Sequence, residues 1–340
     1  MPVSNENPVS SSDAPRSFWS RIVNNRLFAV LKGLKPGSAG VSDDLTKRLE
    51  DLSAHVDGAI ARLKEGQLLP DDISHPSHTR MDGDAAWVSS MIKSGKMHEP
   101  DYAVFSCFTP EMGTILDVGA NWGYSVGSIR AAGCNAQILS FEVLTSYASC
   151  LQAAKDTLGK DYDYIMSGVG SELGEIEFTT PVINGMALSA LTSAKANEFG
   201  AGIASNIVTY AKNYLHSATR FDFKFLVTKA PVDRIDSLLK TAGLVVSTDR
   251  IAAMKIDIEG FEAQGLSGAA ETIARDKPFL MIEGGNRDPL VDKILSIADY
   301  RVAEFRDGQL VLSTGSSESA NGFFVHASRV AHYLEIGILA

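Results

Sequence analysis

Three carboxylates follow two apolar runs in the C-terminal half of the chain, at positions where side chains could move a proton. Asp257 and Glu259 lie in the segment 255–262, KIDIEGFE, and Glu283 directly follows the run 279–282. In an extended strand, Lys255, Asp257 and Glu259 share one face. If the two strands are neighbours, the three carboxylates converge at one edge of a sheet. There they could act as a general base for a hydroxyl or hold a hard cation such as Mg²⁺.

The same cluster also has a structural interpretation. Lys255 could pair with Asp257, since ion-pair networks gather at strand ends as well. No His or Asn completes an obvious set of metal ligands. We therefore predict no metal site, and we favour a base or orienting role for Asp257 and Glu259 over Mg²⁺ binding.

A second group of candidate residues lies in the stretch 114–127, TILDVGANWGYSVG. An apolar run, a glycine-rich turn and a helix-compatible segment are typical of the first βα unit of a Rossmann-like sheet, where cofactors bind. A dinucleotide fingerprint needs glycine at the third and sixth positions of the turn, and here Asn121 and Tyr124 occupy them. Asp117 adds a carboxylate at the strand end, which disfavours a phosphate and favours a cationic ligand such as S-adenosylmethionine.

Glu142 is a candidate ribose ligand. It lies 23 residues after Gly119 and ends the second predicted strand, 136–141. In a sheet of this class that position faces the ribose, and a carboxylate accepts hydrogen bonds from both ribose hydroxyls. The alternative is a surface acid at a strand end, which we favour less because Glu142 is coupled to the glycine-rich turn.

Composition excludes several functional classes. A net charge of −10 disfavours a nucleic-acid partner held by a broad basic surface. The three cysteines show no metal-ligand spacing and cannot all pair, which indicates buried thiols in a reducing compartment. The sequence has no run of eighteen apolar residues and no secretory signal at its start. We therefore expect a cytoplasmic protein without a membrane-spanning helix.

The first 84 residues precede the regular part of the chain. Residues 1–16 are polar and rich in Pro and Ser, so we expect a disordered tail. Residues 17–84 are predicted to form a helical appendage and a connector. Within them, 17–34 favours a basic amphipathic helix, which either contacts the inner face of a membrane peripherally or docks on the rest of the protein. We favour docking.

The segment 41–63 carries an apolar seam. Its apolar residues alternate steps of four and three, which is typical of a heptad pattern. One interpretation is a homo-oligomer that forms through this seam. The other, which we slightly favour, is packing of the seam against the helix at 17–34.

From residue 85 to residue 340, helical and strand patterns alternate, which indicates one α/β domain with an open sheet. The segment 181–225 breaks this alternation, and we expect it to be a mobile or helical insertion that caps the site. Strands are predicted at 114–118, 136–141, 162–166, 175–180, 251–256, 279–282, 300–305 and 322–326, and helices at 146–158, 233–240, 261–274 and 289–298.

Taken together and in this order, five motifs resemble the FkbM-type methyltransferase family. They are DVGANWGYS at 117–125, FE at 141–142, GVG and GEI within 168–176, VDRID at 232–236, and KIDIEGFE at 255–262, which is followed by LSGA at 266–269. The resemblance covers about residues 110–330, and the segment 255–262 is its most specific part.

The resemblance implies a class I methyltransferase fold: a Rossmann-like, seven-stranded, mostly parallel sheet with helices on both faces and an antiparallel last strand. It implies S-adenosylmethionine as the cofactor and a hydroxyl of a sugar, glycan or polyketide-like small molecule as the acceptor. It also assigns cofactor binding to Asp117, Gly119, Asn121, Gly123 and Glu142, and an acceptor-facing position to Asp257 and Glu259. The sequence departs from the family pattern at Val143, where proline is usual, and in the long insertion at 181–225.

The leading hypothesis is therefore an S-adenosylmethionine-dependent O-methyltransferase that acts on a small molecule or glycan and does not bind nucleic acid. Two alternatives remain. One is a methyltransferase-like domain that serves as a docking or assembly module, and the other is an NAD(P)-binding Rossmann oxidoreductase.

Overall fold

A computed structural model describes residues 43–79, 85–97, 99–194, 201–241, 250–285, 288–306, 309–313 and 320–340. The predictions for the tail at 1–16 and the helix at 17–34 concern residues outside these ranges. Of the helices in the described part of the chain, none combines the length and the apolar character that crossing a bilayer requires.

The centre of the structure is an eight-stranded sheet. Its four central strands are largely apolar and five or six residues long, and β1, Thr114–Val118, is buried at every position. The order across the sheet is β11-β10-β12-β9-β8-β1-β2-β3. The strands are β1 Thr114–Val118, β2 Ile138–Glu142, β3 Tyr162–Met166, β8 Ile251–Ile256, β9 Phe279–Glu283, β10 Tyr300–Arg306, β11 Gln309–Leu312 and β12 Asn321–His326.

The strand count and the directions correct one prediction. The five strands β9, β8, β1, β2 and β3 run parallel to one another, as expected for βα units. The predicted sheet had seven strands, whereas the observed sheet has eight and is mixed. β12 runs antiparallel to β9 and β10, and the unpredicted edge strand β11 runs antiparallel to β10. β11 is only four residues long and follows β10 closely, so no separate hydrophobic pattern marks it.

Helices cover both faces of this sheet. In β1, Ile115 belongs to the apolar core on one face, whereas Leu116 and Val118 belong to the core on the other. The helices are α1 Asp43–Lys64, α2 Ala85–Ser94, α3 Tyr124–Ala131, α4 Ala148–Leu158, α5 Ala201–Tyr214, α6 Ile235–Thr241, α7 Glu262–Gly268, α8 Ala270–Asp276, α9 Pro289–Ile297 and α10 Val330–Glu335. Residues of α2, α3, α4 and α10 pack in the first core, and residues of α6, α7, α8 and α9 pack in the second.

A second sheet of four strands lies between β3 and α6 in the sequence. Its strands are β4 Gly168–Val169, β5 Gly174–Ile183, β6 Met186–Ala187 and β7 Phe223–Asp233, in the order β4-β7-β5-β6. β5 and β7 pair antiparallel along their whole lengths, from Gly174 opposite Val232 to Ile183 opposite Phe223. The predicted insertion at 181–225 therefore contains strand as well as helix, since α5 lies between the two long strands.

The apolar seam predicted at 41–63 is the buried side of α1. Leu45, Leu49, Leu52, Val56 and Ala59 are all at most 8% exposed. They share a core with Ile207 and Ala211 of α5 and Phe223 and Phe225 of β7. The seam is therefore covered within the chain. Self-association through 41–63 and membrane contact through 17–34 stay predictions.

Candidate functional site

The glycine-rich turn after β1 passes over the end of β8 at van der Waals distance. Gly119 has a φ of +84°, and a Cβ at this position would lie 1.8 Å from the carbonyl oxygen of Asp257. The backbone nitrogen of Asp257 in turn donates to the Val118 carbonyl at 3.0 Å. Only glycine combines this φ with this approach. The turn and the first residue after β8 are therefore fixed to each other through the backbone.

Glu142 holds the same turn from the other side. It is 6% exposed, its Oε2 accepts from the Asn121 backbone nitrogen at 2.7 Å, and its Oε1 accepts from the Leu144 nitrogen at 2.8 Å. Burial raises the pKa of Glu142 to about 7, against the opposing effects of these two amides and of Lys255. Each oxygen retains a second lone pair, so the carboxylate can accept further hydrogen bonds.

Asp117 lies beneath the turn and is fully buried. Its Oδ2 accepts from the hydroxyls of Ser125 and Ser140, both at 2.7 Å, and the Lys255 ammonium lies 3.5 Å from its Oδ1. A buried carboxylate needs such partners, because an uncompensated charge in the interior is costly. These contacts stabilise the strand ends under the turn.

Lys255 connects Asp117 to the predicted catalytic cluster. Its ammonium is 3.5 Å from Oδ2 of Asp257 and donates to the Gly119 carbonyl at 2.7 Å. Lys255 is 4% exposed, so this is a buried ionic network that also binds the turn. The structural interpretation of the pair Lys255–Asp257 is thus observed. Asp257 nevertheless lines the cavity.

The chain turns sharply directly after Asp257. Glu259 has a φ of 56° and Gly260 a φ of 96°, so two consecutive residues are left-handed. Glu262 stabilises this turn, since its Oε1 accepts from the Ile258 and Gly260 nitrogens, both at 3.1 Å. Burial raises the pKa of Glu262. Glu262 therefore shapes the loop that places Asp257 and Glu259.

The far end of the cavity contains residues that the sequence analysis missed. Asn321, at the start of β12, is opposite Glu283 in the register of β9 and β12. Its Nδ2 donates to Glu99 Oε2 at 3.3 Å and to Asp101 Oδ2 at 3.1 Å. Asp101 lies in a 3-10 helix, Pro100–Cys107, and Glu99 directly precedes this helix. The segment carries no sequence motif, so only the fold could bring these residues here.

One cavity joins these groups at the carboxyl ends of β1, β2 and β8. It brings together six predicted site residues: Gly119, Asn121, Glu142, Asp257, Glu259 and Glu283. Among the residues that the structure describes, its wall does not include Asp117, which lies below the turn, or Gly123, which directly precedes α3. Aromatic, apolar and polar side chains also line the cavity, among them Trp122, Tyr124, Tyr102, Ile176, Phe178, Ser189, Thr192, Val232, Glu99 and Asn321.

Comparison with known families decides what kind of domain this is. The model of the methyltransferase FkbM domain matches residues 117–302, which is more than half of the 340-residue chain. The chain belongs to this family. The match begins at Asp117 and includes the turn, Glu142 and the segment 255–262, so the predicted resemblance to FkbM methyltransferases is confirmed.

The FkbM-domain chain is also similar to solved structures. One is methyltransferase FkbM from Methylobacillus flagellatus KT, with a TM-score of 0.37 and 16% identity over 86% of this chain and 64% of that chain. The chain thus spans less than two thirds of the length of that protein. Another is the SAH-bound Podospora anserina methyltransferase PaMTH1, with a TM-score of 0.31 and 12% identity over 93% of this chain and 99% of that chain. No curated protein sequence is significantly similar to the chain.

The family motif at 232–236 has a structural role. Asp236 is 3% exposed and caps the start of α8: its Oδ2 accepts from the Glu271 nitrogen at 2.9 Å, and its Oδ1 accepts from the nitrogen and hydroxyl of Thr272. Arg234 lies 3.2 Å from both Asp236 and Glu271. This motif therefore joins α6 to α8.

The residues present fit S-adenosylmethionine, the cofactor that the family resemblance implies. Ribose hydroxyls are donors, and the buried Glu142 carboxylate is an acceptor with spare lone pairs. The cofactor also carries cationic groups, which suit a cavity lined by the carboxylates of Asp257 and Glu259. In the described part of the chain, no group of three or more His, Cys, Asp or Glu side chains is placed to hold a metal ion.

Proposed function

We propose that the protein is an S-adenosylmethionine-dependent O-methyltransferase whose acceptor is a hydroxyl of a sugar, glycan or polyketide-like small molecule. The observation that carries the proposal is one cavity that the predicted cofactor-binding residues share with the predicted catalytic carboxylates. It is lined by Gly119, Asn121, Glu142, Asp257, Glu259 and Glu283. The family assignment supports methyl transfer, and this arrangement supports a hydroxyl acceptor with a nearby base.

The cofactor, when bound, supplies an electrophilic methyl carbon on a sulfonium. A sugar or aliphatic hydroxyl is a poor nucleophile, so its proton must leave as the oxygen forms its new bond to carbon. Asp257 is assigned as the proton acceptor, because its carboxylate lines the cavity and the Lys255 ammonium holds it at 3.5 Å. Glu259 and Glu283 are assigned to accept hydrogen bonds from other hydroxyls of the acceptor and so to orient it.

The test is isothermal titration of the full chain with S-adenosylhomocysteine, NAD and NADP. We expect micromolar binding of S-adenosylhomocysteine and none of the dinucleotides. Repeating the titration with EDTA tests whether a metal ion contributes to cofactor binding. We expect no change, which would leave a metal possible only on the acceptor side. Glu142→Ala tests the proposed ribose contact and should weaken the binding of S-adenosylhomocysteine. Binding of a dinucleotide, or no binding of S-adenosylhomocysteine, would overturn the proposal in favour of an oxidoreductase or a docking module, respectively.

A further inference from the structure

A helix outside the family domain packs directly on the cofactor turn. α2 spans residues 85–94, whereas the family match begins at residue 117. Val88 on this helix is fully buried, and a Cβ added to Gly123 would lie 3.5 Å from its Cγ1. A Cβ added to Gly127, one turn into α3, would lie only 2.5 Å from Met91 Sδ. Two glycines of the turn and its helix thus allow α2 to approach closely.

Three aromatic rings form the centre of this contact. The ring centroid of Trp87, on α2, lies 4.9 Å from that of Trp122 and 5.3 Å from that of Tyr124. Trp122 and Tyr124 are themselves 4.7 Å apart at an interplanar angle of 77°. These separations are within the range at which aromatic pairs attract each other. The three residues are called the aromatic cluster below.

The aromatic cluster is joined to the cavity through the turn. Trp122 and Tyr124 both line the cavity, whereas Trp87 contacts them from outside it. Trp122 lies between Asn121, with a φ of 52°, and Gly123, with a φ of 95°. A turn with two left-handed residues has to be held in place by its surroundings. The Asn121 nitrogen is also the group that donates to Glu142, so the position of this turn sets the position of the predicted ribose carboxylate.

We propose that Trp87 is a positioning residue for the cofactor: its indole holds Trp122 and Tyr124, and through them fixes the turn in its binding conformation. This inference rests on the proposed function, because its readout is cofactor affinity. It means that the binding site extends beyond the family domain to residues 85–94. A chain that begins at residue 110 would contain every family motif and still bind the cofactor poorly.

The test uses Trp87→Leu in the full chain, titrated with S-adenosylhomocysteine at a temperature at which circular dichroism shows the variant folded. We expect a roughly tenfold increase in Kd, since Leu fills space but lacks the ring contacts. Trp87→Phe, which restores a ring, should bind within about threefold of the wild type. Leu295→Ala is the control for general destabilisation, because Leu295 is 2% exposed in the core on the other face of the sheet. It should lower Tm without changing Kd.

Hydrogen–deuterium exchange of the wild type is an independent measurement that requires no variant to fold. Addition of S-adenosylhomocysteine should slow exchange at residues 85–94 as well as at the turn. Unchanged Kd in Trp87→Leu, equal loss of affinity in Leu295→Ala, or unchanged exchange at 85–94 would each overturn the inference. Failure of the wild type to bind S-adenosylhomocysteine would instead overturn the proposed function.

Discussion

Lys255→Met should destabilise the protein by removing the counter-ion of a buried carboxylate. The Lys255 ammonium has three contacts: the Gly119 carbonyl at 2.7 Å, Asp117 Oδ1 at 3.5 Å and Asp257 Oδ2 at 3.5 Å. Asp257 is partly exposed and can be solvated, whereas Asp117 is fully buried. Methionine keeps most of the side-chain volume but leaves the Asp117 charge without a counter-ion in the interior.

The expected loss follows from that buried charge. Removing one partner of a buried ion pair costs about 3–5 kcal/mol, because the other charge remains desolvated. Asp117→Asn removes this charge while keeping the size of the side chain and an oxygen that can accept from Ser125 and Ser140. The double variant should therefore be at least about 2 kcal/mol more stable than Lys255→Met alone.

Equilibrium urea unfolding, followed by circular dichroism, measures these differences as changes in the midpoint at constant m. Lys293→Met is the matched control, since Lys293 is exposed on α9, and we expect a change within about 0.5 kcal/mol. A loss below about 1 kcal/mol in Lys255→Met would refute the argument. A double variant no more stable than Lys255→Met would refute it as well.

Three further predictions concern the cavity. Burial raises the pKa of Glu142 to about 7. Its carboxyl group is therefore neutral below this pH and, above it, an ionised carboxylate that accepts hydrogen bonds more strongly. Affinity for S-adenosylhomocysteine should therefore rise from about pH 6 to pH 8. In Glu142→Gln, the affinity for S-adenosylhomocysteine should be weaker and independent of pH. If calorimetry finds the same change of affinity with pH in the variant and the wild type, this assignment is contradicted. Asp257→Asn should leave S-adenosylhomocysteine binding within about threefold and lower turnover by at least about a hundredfold in a methyl-transfer assay, and unchanged turnover would exclude it as the base. Gly119→Ala should lose about 3 kcal/mol or more in thermal or urea unfolding, because its Cβ would lie 1.8 Å from the Asp257 carbonyl oxygen. Gly133→Ala has a similar φ of +91° and nothing within 4 Å, so it measures the backbone strain alone, and an equal loss in both would rule out the steric argument.

Local sequence patterns predicted several strands of the main sheet. The predicted runs 114–118, 162–166 and 251–256 coincide with β1, β3 and β8. β1 and β8 are buried at every position, so each has a largely apolar run with clear ends, whereas β3 is the partly exposed edge strand of the sheet. The predicted helix at 261–274 is instead two helices, α7 and α8, because Ala269 between them has a φ of −104° and a ψ of 14°.

The long strand pair of the second sheet was not predictable in the same way. The insertion predicted at 181–225 includes only the first residues of β7, Phe223–Asp233, and the helix predicted at 233–240 includes only its last residue. The strand predicted at 175–180 ends before β5 does, at residue 183. The two strands are joined by a long segment that includes α5, so no short turn marks their pairing. Their partners are known only once the chain has folded, since register depends on contacts between distant residues.

In the candidate site, too, some residues were predictable from the sequence and others were not. Gly119, Glu142 and Asp257 could be placed from the sequence because each directly follows a recognisable strand. Glu99 and Asn321 could not, because they are 222 residues apart and meet only where β12 pairs with β9. Packing also decides that Asp117 lies outside the cavity wall, because its hydrogen-bond partners Ser125 and Ser140 belong to α3 and β2.

The division of the protein into two sheets has a consequence for how its relatives can diverge. The turn, Glu142 and Asp257 are attached to the main sheet, whereas Ile176, Phe178 and Val232 line the cavity from the separate sheet of β4 to β7. A change of side chain at Ile176 or Phe178 can thus reshape one wall of the cavity without altering a residue of any strand that carries the turn. Exchanging these two residues between relatives would show whether this wall contributes to the choice of acceptor.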